Sequence, residues 1–265
     1  MHVLKLAQSG VIAKVKIVIT GATGSIGGAL ARAYAKDGHS LILQGRKADQ
    51  LAVLRDECLA LGGLASVVSF DLSDLMQTRR WCDELVTSGA PDLVIANAGM
   101  NINTGEDQSG EQWEQMEALL DLNVKSTLML VHHMALAMKE RKTGQLVLVS
   151  SLAAFYGLPV TPTYSASKAA LKAYAEGIRG WLAPHNVGVS VVMPGYVSSK
   201  MCHAMPGPKP FMWTPERAAL VIKQAVVKNR ARISFPFPLN FGCWWLAVLP
   251  PTISQRIVKW LDYAG

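Results

Sequence analysis

Short apolar runs alternate along the chain with longer stretches in which apolar residues recur every three to four positions. The short runs are "VKIVIT" (15–20), "SLILQG" (40–45), "LASVVSF" (64–70), "DLVIAN" (92–97), "QLVLVSS" (145–151) and "VGVSVVMPG" (187–195). They are apolar at successive positions rather than alternate ones, which predicts strands covered on both faces. Between them lie "GALARAYAKDG", "ADQLAVLRDECLALG", "DLMQTRRWCDELVTSG", a long stretch from Glu111 to Met138, and the segment carrying "YSASK" (164–168), all with helical period. Strand–helix alternation of this kind predicts an α/β doubly wound parallel sheet, a Rossmann fold, with ligands bound beyond the carboxyl ends of the strands. The pattern divides the chain into an extension (1–14), a body of alternating strands and helices (15–200), and a stretch that breaks the alternation and ends as an apolar C-terminal extension of the same domain (201–265).

The first strand runs into "TGATGSIGG", with Gly21, Gly24 and Gly27 three residues apart and Thr23, Ser25 and Ile26 between them. Glycines let the backbone turn sharply and come close to a pyrophosphate, and the helix that follows aims its N–H groups at the phosphates. The strand before the turn and the helix after it make this a dinucleotide site rather than a chance triad. The second strand ends Gln44, Gly45, Arg46, Lys47, with no acid before Asp49. An acid there would bond the ribose 2′-hydroxyl of NAD; Arg46 and Lys47 suit a 2′-phosphate instead, so NADP(H) is the expected cofactor.

Tyr164 and Lys168 stand at i and i+4, on one face of a helix. A nearby ammonium favours the phenolate, so the phenol is expected to titrate below its isolated value of about 10. Ser151 closes the fifth strand, Asn97, Ala98 and Gly99 close the fourth, and Asn123 sits in "LDLNVKS" inside a long helical stretch. In this order "TGATGSIGG", "FDLSD", "ANAG", "LDLNVKS", "VLVSS", "YSASK" and "MPGYVSS" resemble the short-chain dehydrogenase/reductase family over roughly residues 15–200. The resemblance implies Tyr164 as general acid/base, Lys168 on the nicotinamide ribose, Ser151 on the substrate oxygen, and Asn123 on a water of the proton relay. It also implies Asp71 and Leu72 beside the adenine, Asn97 under the cofactor, and Pro194 to Ser199, with Gly195 and Val197, at the nicotinamide end. Two departures matter. The glycines read TGxxGxxG, a spacing more usual in the longer, sugar-nucleotide-acting members, and Ala96 and Ser199 replace a frequent Asn and Thr.

Composition narrows the rest. The chain has 265 residues, of which 17% are charged, and carries a net charge of +7. That size suits one domain with its own core. Cys58, Cys82, Cys202 and Cys243 form no CxxC pair, so reduced thiols in a cytoplasmic protein are expected, with no metal site. The first residues, "MHVLKLAQSGVIAKVK", are broken by Gln8, Ser9 and Gly10 and suit neither a signal peptide nor a membrane span. The positive charge would draw phosphate ligands, an anionic membrane or nucleic acid; with no recognition motif, nucleic acid is not expected as a partner.

From Tyr196 to Pro215 the sequence carries Met201, Met205, Phe211, Met212 and Trp213, which suits an adaptable substrate lid. A helix over "TPERAALVIKQAVVKNRAR" is predicted to end in a basic turn. "FPFPLNFGCWWLAVLPP" is uncharged, and "TISQRIVKWLDYA" places Ile253, Ile257 and Trp260 on one helical face. Two readings of this tail stay open: a cap or subunit interface of a homo-oligomer, dimer or tetramer, and a peripheral membrane contact beside Lys228, Arg230 and Arg232. The expected activity is NADP(H)-dependent interconversion of a ketone and a secondary alcohol. The alternatives are a reductase of a sugar or polysaccharide precursor and a catalytically silent NADP-binding regulator.

Overall fold

A computed structural model of the protein describes residues 14–105, 109–205 and 207–261. The extension assigned to 1–14 therefore lies, but for Lys14, outside the described residues. The elements run β1 (Lys16–Ile19), α1 (Ser25–Ala35), β2 (Ser40–Gly45), α2 (Ala48–Ala60), β3 (Leu64–Ser69), α3 (Leu75–Thr87), β4 (Leu93–Ala96), α4 (Trp113–Leu120) and α5 (Thr127–Arg141). They continue with β5 (Gly144–Val149), α6 (Pro162–Leu182), β6 (Val187–Pro194), α7 (Lys200–His203), α8 (Pro215–Val227), β7 (Arg232–Phe235), α9 (Leu239–Val248) and α10 (Pro251–Trp260). The strands form one parallel sheet in the order β3-β2-β1-β4-β5-β6-β7.

Helices cover both faces, as the unbroken apolar runs require. In β1, Ile17 and Ile19 join a core with Leu30 and Tyr34 of α1, Leu51 of α2 and Ile222 of α8. Val18 points the other way, into a core with Trp81 of α3, Met134 of α5 and Leu171 of α6. The strand order reverses between β1 and β4, and there the sheet's carboxyl edge opens a crevice.

Several predicted boundaries move. The stretch from Glu111 to Met138 is not one regular α-helix. It starts at Trp113, and Asp121–Ser126 form a π-helical segment between α4 and α5. Ser151 lies beyond β5 rather than on it, capping a short 3₁₀ turn over Leu152–Ala154. The helix predicted to reach Arg232 stops at Val227, because Asn229 adopts a left-handed conformation (φ 47°) and turns the chain back. Arg232 then opens a seventh strand beside β6 and pairs with Glu176 of α6, rather than joining a basic helix end.

Candidate functional site

The glycine turn follows β1 at the reversal point. Gly21 has φ +61°, and a Cβ on it would stand 2.8 Å from the Cα of Ala98. A Cβ on Gly27 would fall 2.4 Å from the Gly21 carbonyl oxygen and 2.8 Å from Asn97 Nδ2. The first turn of α1 thus packs straight onto the loop, which only glycine permits. Asn97 Nδ2 donates to the carbonyls of Thr20 (3.0 Å) and Gly21 (3.2 Å), and Thr20 Oγ1 accepts from the N–H groups of Asn97 (3.0 Å) and Ala98 (3.1 Å). These bonds lock the ends of β1 and β4 together. Gly24 caps α1 without a side-chain hydrogen bond, so its opening N–H groups, Ser25 and Ile26 among them, are left for an anion.

At the end of β2, Arg46 is exposed and its Nη1 lies 3.4 Å from Asp71 Oδ2. Burial alone would push the Asp71 carboxyl up. Hydrogen bonds from the Ser73 N–H (3.0 Å) and hydroxyl (2.8 Å), with the Arg46 charge, hold it below the usual carboxylate range instead. Lys47 follows directly as the N-cap of α2.

α6 begins at Pro162, and Glu111 anchors its first turn. The Glu111 carboxylate accepts from the Thr163 N–H (3.1 Å) and the Thr163 hydroxyl. Tyr164 in that turn is half-buried, with the Ser151 hydroxyl beside its phenol. One turn on, Lys168 is 4% exposed; its Nζ donates to the Val149 carbonyl at 3.1 Å and stands 5.6 Å from the centre of the Tyr164 ring. Burial pulls the Lys168 ammonium down to about 8. Burial also pushes the Tyr164 phenol up; the Ser151 hydroxyl opposes this, and the Cys202 thiol adds to the rise. The phenol is therefore not lowered by its lysine as the spacing alone suggests. The ammonium lies toward the face of the ring and spends a proton on Val149, while both groups lose their hydration.

Behind this pair sits Asn123, fully buried in the π segment. Its Oδ1 accepts from the Met100 N–H (2.8 Å), and its Nδ2 donates to the Met100 carbonyl (2.9 Å) and to Ser167 Oγ (3.1 Å). Both amide hydrogens are spent on the protein. A Cβ on Gly99 would lie 3.1 Å from Asn123 Oδ1 and 3.2 Å from Lys168 Nζ, so glycine there lets the two side chains approach β4. At the other side, the Gly195 N–H donates to the Phe235 carbonyl (2.7 Å), Val197 bridges to Trp213, and Ser199 Oγ caps α7 by accepting from the Cys202 N–H (3.0 Å).

These groups line a single cavity of about 790 Å³ that runs from the glycine turn to α9 and α10. It takes in Gly21, Thr23, Gly24, Ser25 and Ile26; Arg46 and Lys47; Asp71 and Leu72; Asn97, Ala98 and Gly99; Ser151, Tyr164 and Lys168; and Pro194, Gly195, Val197 and Ser199. Of the residues singled out in the sequence, Gly27 and Asn123 lie outside its wall, behind the groups they support.

A family profile described as short chain dehydrogenase matches residues 15–207. The chain belongs to the short-chain dehydrogenase/reductase family. An uncharacterised oxidoreductase of Myxococcus xanthus is 34% identical over 91% of this chain and 95% of its own length. A protein of Nostoc sp. named ketoacyl reductase HetN is 28% identical, covering 92% and 88%. A short-chain dehydrogenase from Sphingobium yanoikuyae, solved in complex with NADPH, superposes with a TM-score of 0.79 at 21% identity, over 95% and 98% of the chains.

The site is also built from residues that the sequence reading passed over. Ser150 Oγ donates to the Lys168 carbonyl (2.6 Å), and Ser167 Oγ to that of Tyr164 (2.7 Å), tying α6 to β5 and to Asn123. Tyr156 and Leu158 line the cavity, as do residues of α9 and α10, and so do Met201 and Met205 of the expected lid. The small "SAS" between Tyr164 and Lys168 was a signal for close packing; the partners it packs against come from distant strands.

Proposed function

We propose that the protein is an NADP(H)-dependent reductase that interconverts an apolar ketone and a secondary alcohol. The observation that carries this reading is Tyr164 beside Ser151, with Lys168 one helical turn away, all on the wall of a cavity continuous with the glycine turn. The residues fit the cofactor. Gly21 and Gly27 would each meet backbone if they carried a Cβ, the uncapped start of α1 faces the same space, and exposed Arg46 stands where a 2′-phosphate needs a cation. NADPH in a protein of the same fold agrees with that reading. When bound, the nicotinamide supplies or accepts the hydride.

The chain's own groups handle the oxygen and its proton. The Ser151 hydroxyl and the Tyr164 phenol hold the carbonyl oxygen between them. As the carbonyl is reduced, Tyr164 gives its proton to the developing alkoxide, and in the reverse direction it takes that proton back. Lys168, which has no carboxylate partner among the described residues, stabilises the transient phenolate by charge. Asn123, through Met100 and Ser167, keeps the turn after β4 and the face of α6 in register; with its side-chain donors spent, any relay water there would meet its backbone. The full set of proton-handling groups is more than a silent regulator needs.

The far wall supports the substrate class. Leu239, Cys243, Trp245, Leu246, Leu249, Ile257, Val258 and Leu261 line it, and none is charged. Apart from an indole N–H and a thiol, nothing there could bond a polyol, so the sugar-precursor reading suggested by the TGxxGxxG spacing finds no support at that end. The Nostoc relative's name, a ketoacyl reductase, agrees with a carbonyl carried on an apolar chain. NADPH oxidation measured across apolar ketones, β-ketoacyl thioesters and keto-sugars tests the reading. Apolar ketones should turn over best, and Tyr164→Phe should cost about 10² to 10⁴ in rate while NADPH still binds. Preferred turnover of keto-sugars, or full activity in Tyr164→Phe, would overturn it.

A further inference from the structure

The net positive charge of this chain lies in one part of it. Residues 1–199 hold 17 Lys or Arg and 17 Asp or Glu, while residues 200–265 hold nine and two, so the entire +7 resides in the C-terminal part. Some of these cations are engaged in the fold: Lys223 pairs with Asp37 at 2.6 Å, and Arg232 with Glu176. Arg256 and Lys259 stand exposed on α10, and no acid occurs from Leu239 to Trp260.

The same two helices expose apolar surface. α9 turns Leu239, Cys243 and Leu246 toward the cavity. Its opposite face carries Phe241, Trp244 and Val248, which are 51%, 40% and 53% exposed, and Trp245, 44% exposed, stands at the edge between that face and the cavity wall. Their three aromatic rings touch one another, with centroids 5.5 to 6.0 Å apart. Phe237 just before the helix is 79% exposed, and on α10 Ile253 and Trp260 are 45% and 82% exposed. A helix apolar on both faces calls for a partner on each. The inner partner is the cavity.

We propose that α9 and α10 dock on the surface of an anionic lipid bilayer, with the aromatic outer face of α9 at headgroup depth and Arg256 and Lys259 against the lipid phosphates. Amphipathic helices that lie in an interface combine an apolar aromatic face with flanking cations in this way. Among the described residues no helix is long and apolar enough to cross a membrane, so the contact is a surface one. A second copy of the chain fits the patch less well. A two-fold interface would bring Arg256 and Lys259 toward their own counterparts, with no acid on either helix to neutralise them. The docking stands independently of the reductase reading. Together they place an apolar cavity one helix away from a lipid phase.

Co-sedimentation of the full chain with phosphatidylglycerol-containing vesicles and with pure phosphatidylcholine vesicles, at low and high salt, tests the proposal. The protein should pellet with the anionic vesicles and be released by salt. Arg256→Gln with Lys259→Gln should lower the partition on the order of 30-fold, about fivefold per cation. Phe241→Ser with Trp260→Ser should lower it at unchanged charge. Neither pair lines the cavity, so unchanged melting and NADPH binding control for folding. Protein left in the supernatant with anionic vesicles, or equal binding to both lipids, would overturn the proposal. A dimer that Phe241→Ser dissociates while vesicle binding is untouched would give the patch to a second copy and overturn it as well.

Discussion

Lys168 should make the stability of the cofactor-free protein rise with pH. Its side chain is 4% exposed, its Nζ meets the Val149 carbonyl, and burial lowers its ionisation to about 8, against about 10.4 in an unfolded chain. Between those values the unfolded chain binds a proton that the folded one does not, so raising the pH through this window favours the fold. The stability is fully present above the unfolded value and is lost as pH falls through about 8. Taken over the whole window, the gap corresponds to about 3 kcal/mol; from pH ~7 to ~9.5 it amounts to about 2 kcal/mol. Burial pushes the Cys58, Cys82 and Cys243 thiols up to about 11, 12 and 11, and these act with the opposite sign over part of the same range. The measurement is therefore a difference: urea unfolding of wild type and Lys168→Met at a series of pH values. The wild-type free energy, relative to the variant, should climb by about 2 kcal/mol between pH ~7 and ~9.5. Parallel curves would mean that Lys168 ionises in the fold as it does in water, and the electrostatic account of the site would fail.

Three further outcomes are expected. Gly27→Ala places a Cβ 2.4 Å from the Gly21 carbonyl, with backbone that cannot yield, so it should cost about 1–3 kcal/mol in stability and weaken NADPH binding in calorimetry; wild-type affinity in this variant would remove the glycine turn from the cofactor site. Arg46→Asp should weaken NADPH binding far more than NADH binding in fluorescence titrations, and equal dissociation constants for the two cofactors in the unaltered protein would refute the role given to Arg46. Leu246→Asp puts a charge into the apolar wall and should raise KM for long apolar ketones with little change in kcat for short ones; an unchanged KM would show that substrates do not reach α9.

The sheet was largely legible because its strands are apolar on both faces. Six of its seven strands appear in the residue pattern, with ends displaced by two residues at most. β7 was not legible: "RISF" is four residues long, follows a helical pattern without a break in composition, and precedes "PFP". The site divides the same way. Motif spacing placed Tyr164, Lys168, Ser151 and the glycine turn in one crevice, since each follows a strand end or starts a helix. Spacing carries no information on hydration, and so the direction of the Tyr164 shift was misread. Nor does it reveal long-range partners: Glu111 holding Thr163, or Thr20 tying Asn97 to β1, become visible only when the sheet brings them together. The tail hid its role for a related reason. An uncharged run reads alike whether it faces a cavity, a partner or lipid, and here α9 has both an inner and an outer apolar face.

The reacting groups and the cover over them come from separate lengths of chain. Gly21 to Ser199 supply the crevice, whereas residues 239–261 close it from above, beyond the stretch that the family profile matches. The cover is fastened lightly, by bonds such as Asn240 Nδ2 to the Ser234 carbonyl and Ser254 Oγ to the Leu246 carbonyl. Its sequence can thus change without disturbing the groups around Tyr164, while each change alters the wall of the crevice. On the proposed reading, swapping this segment between relatives should exchange selectivity and leave the reaction in place.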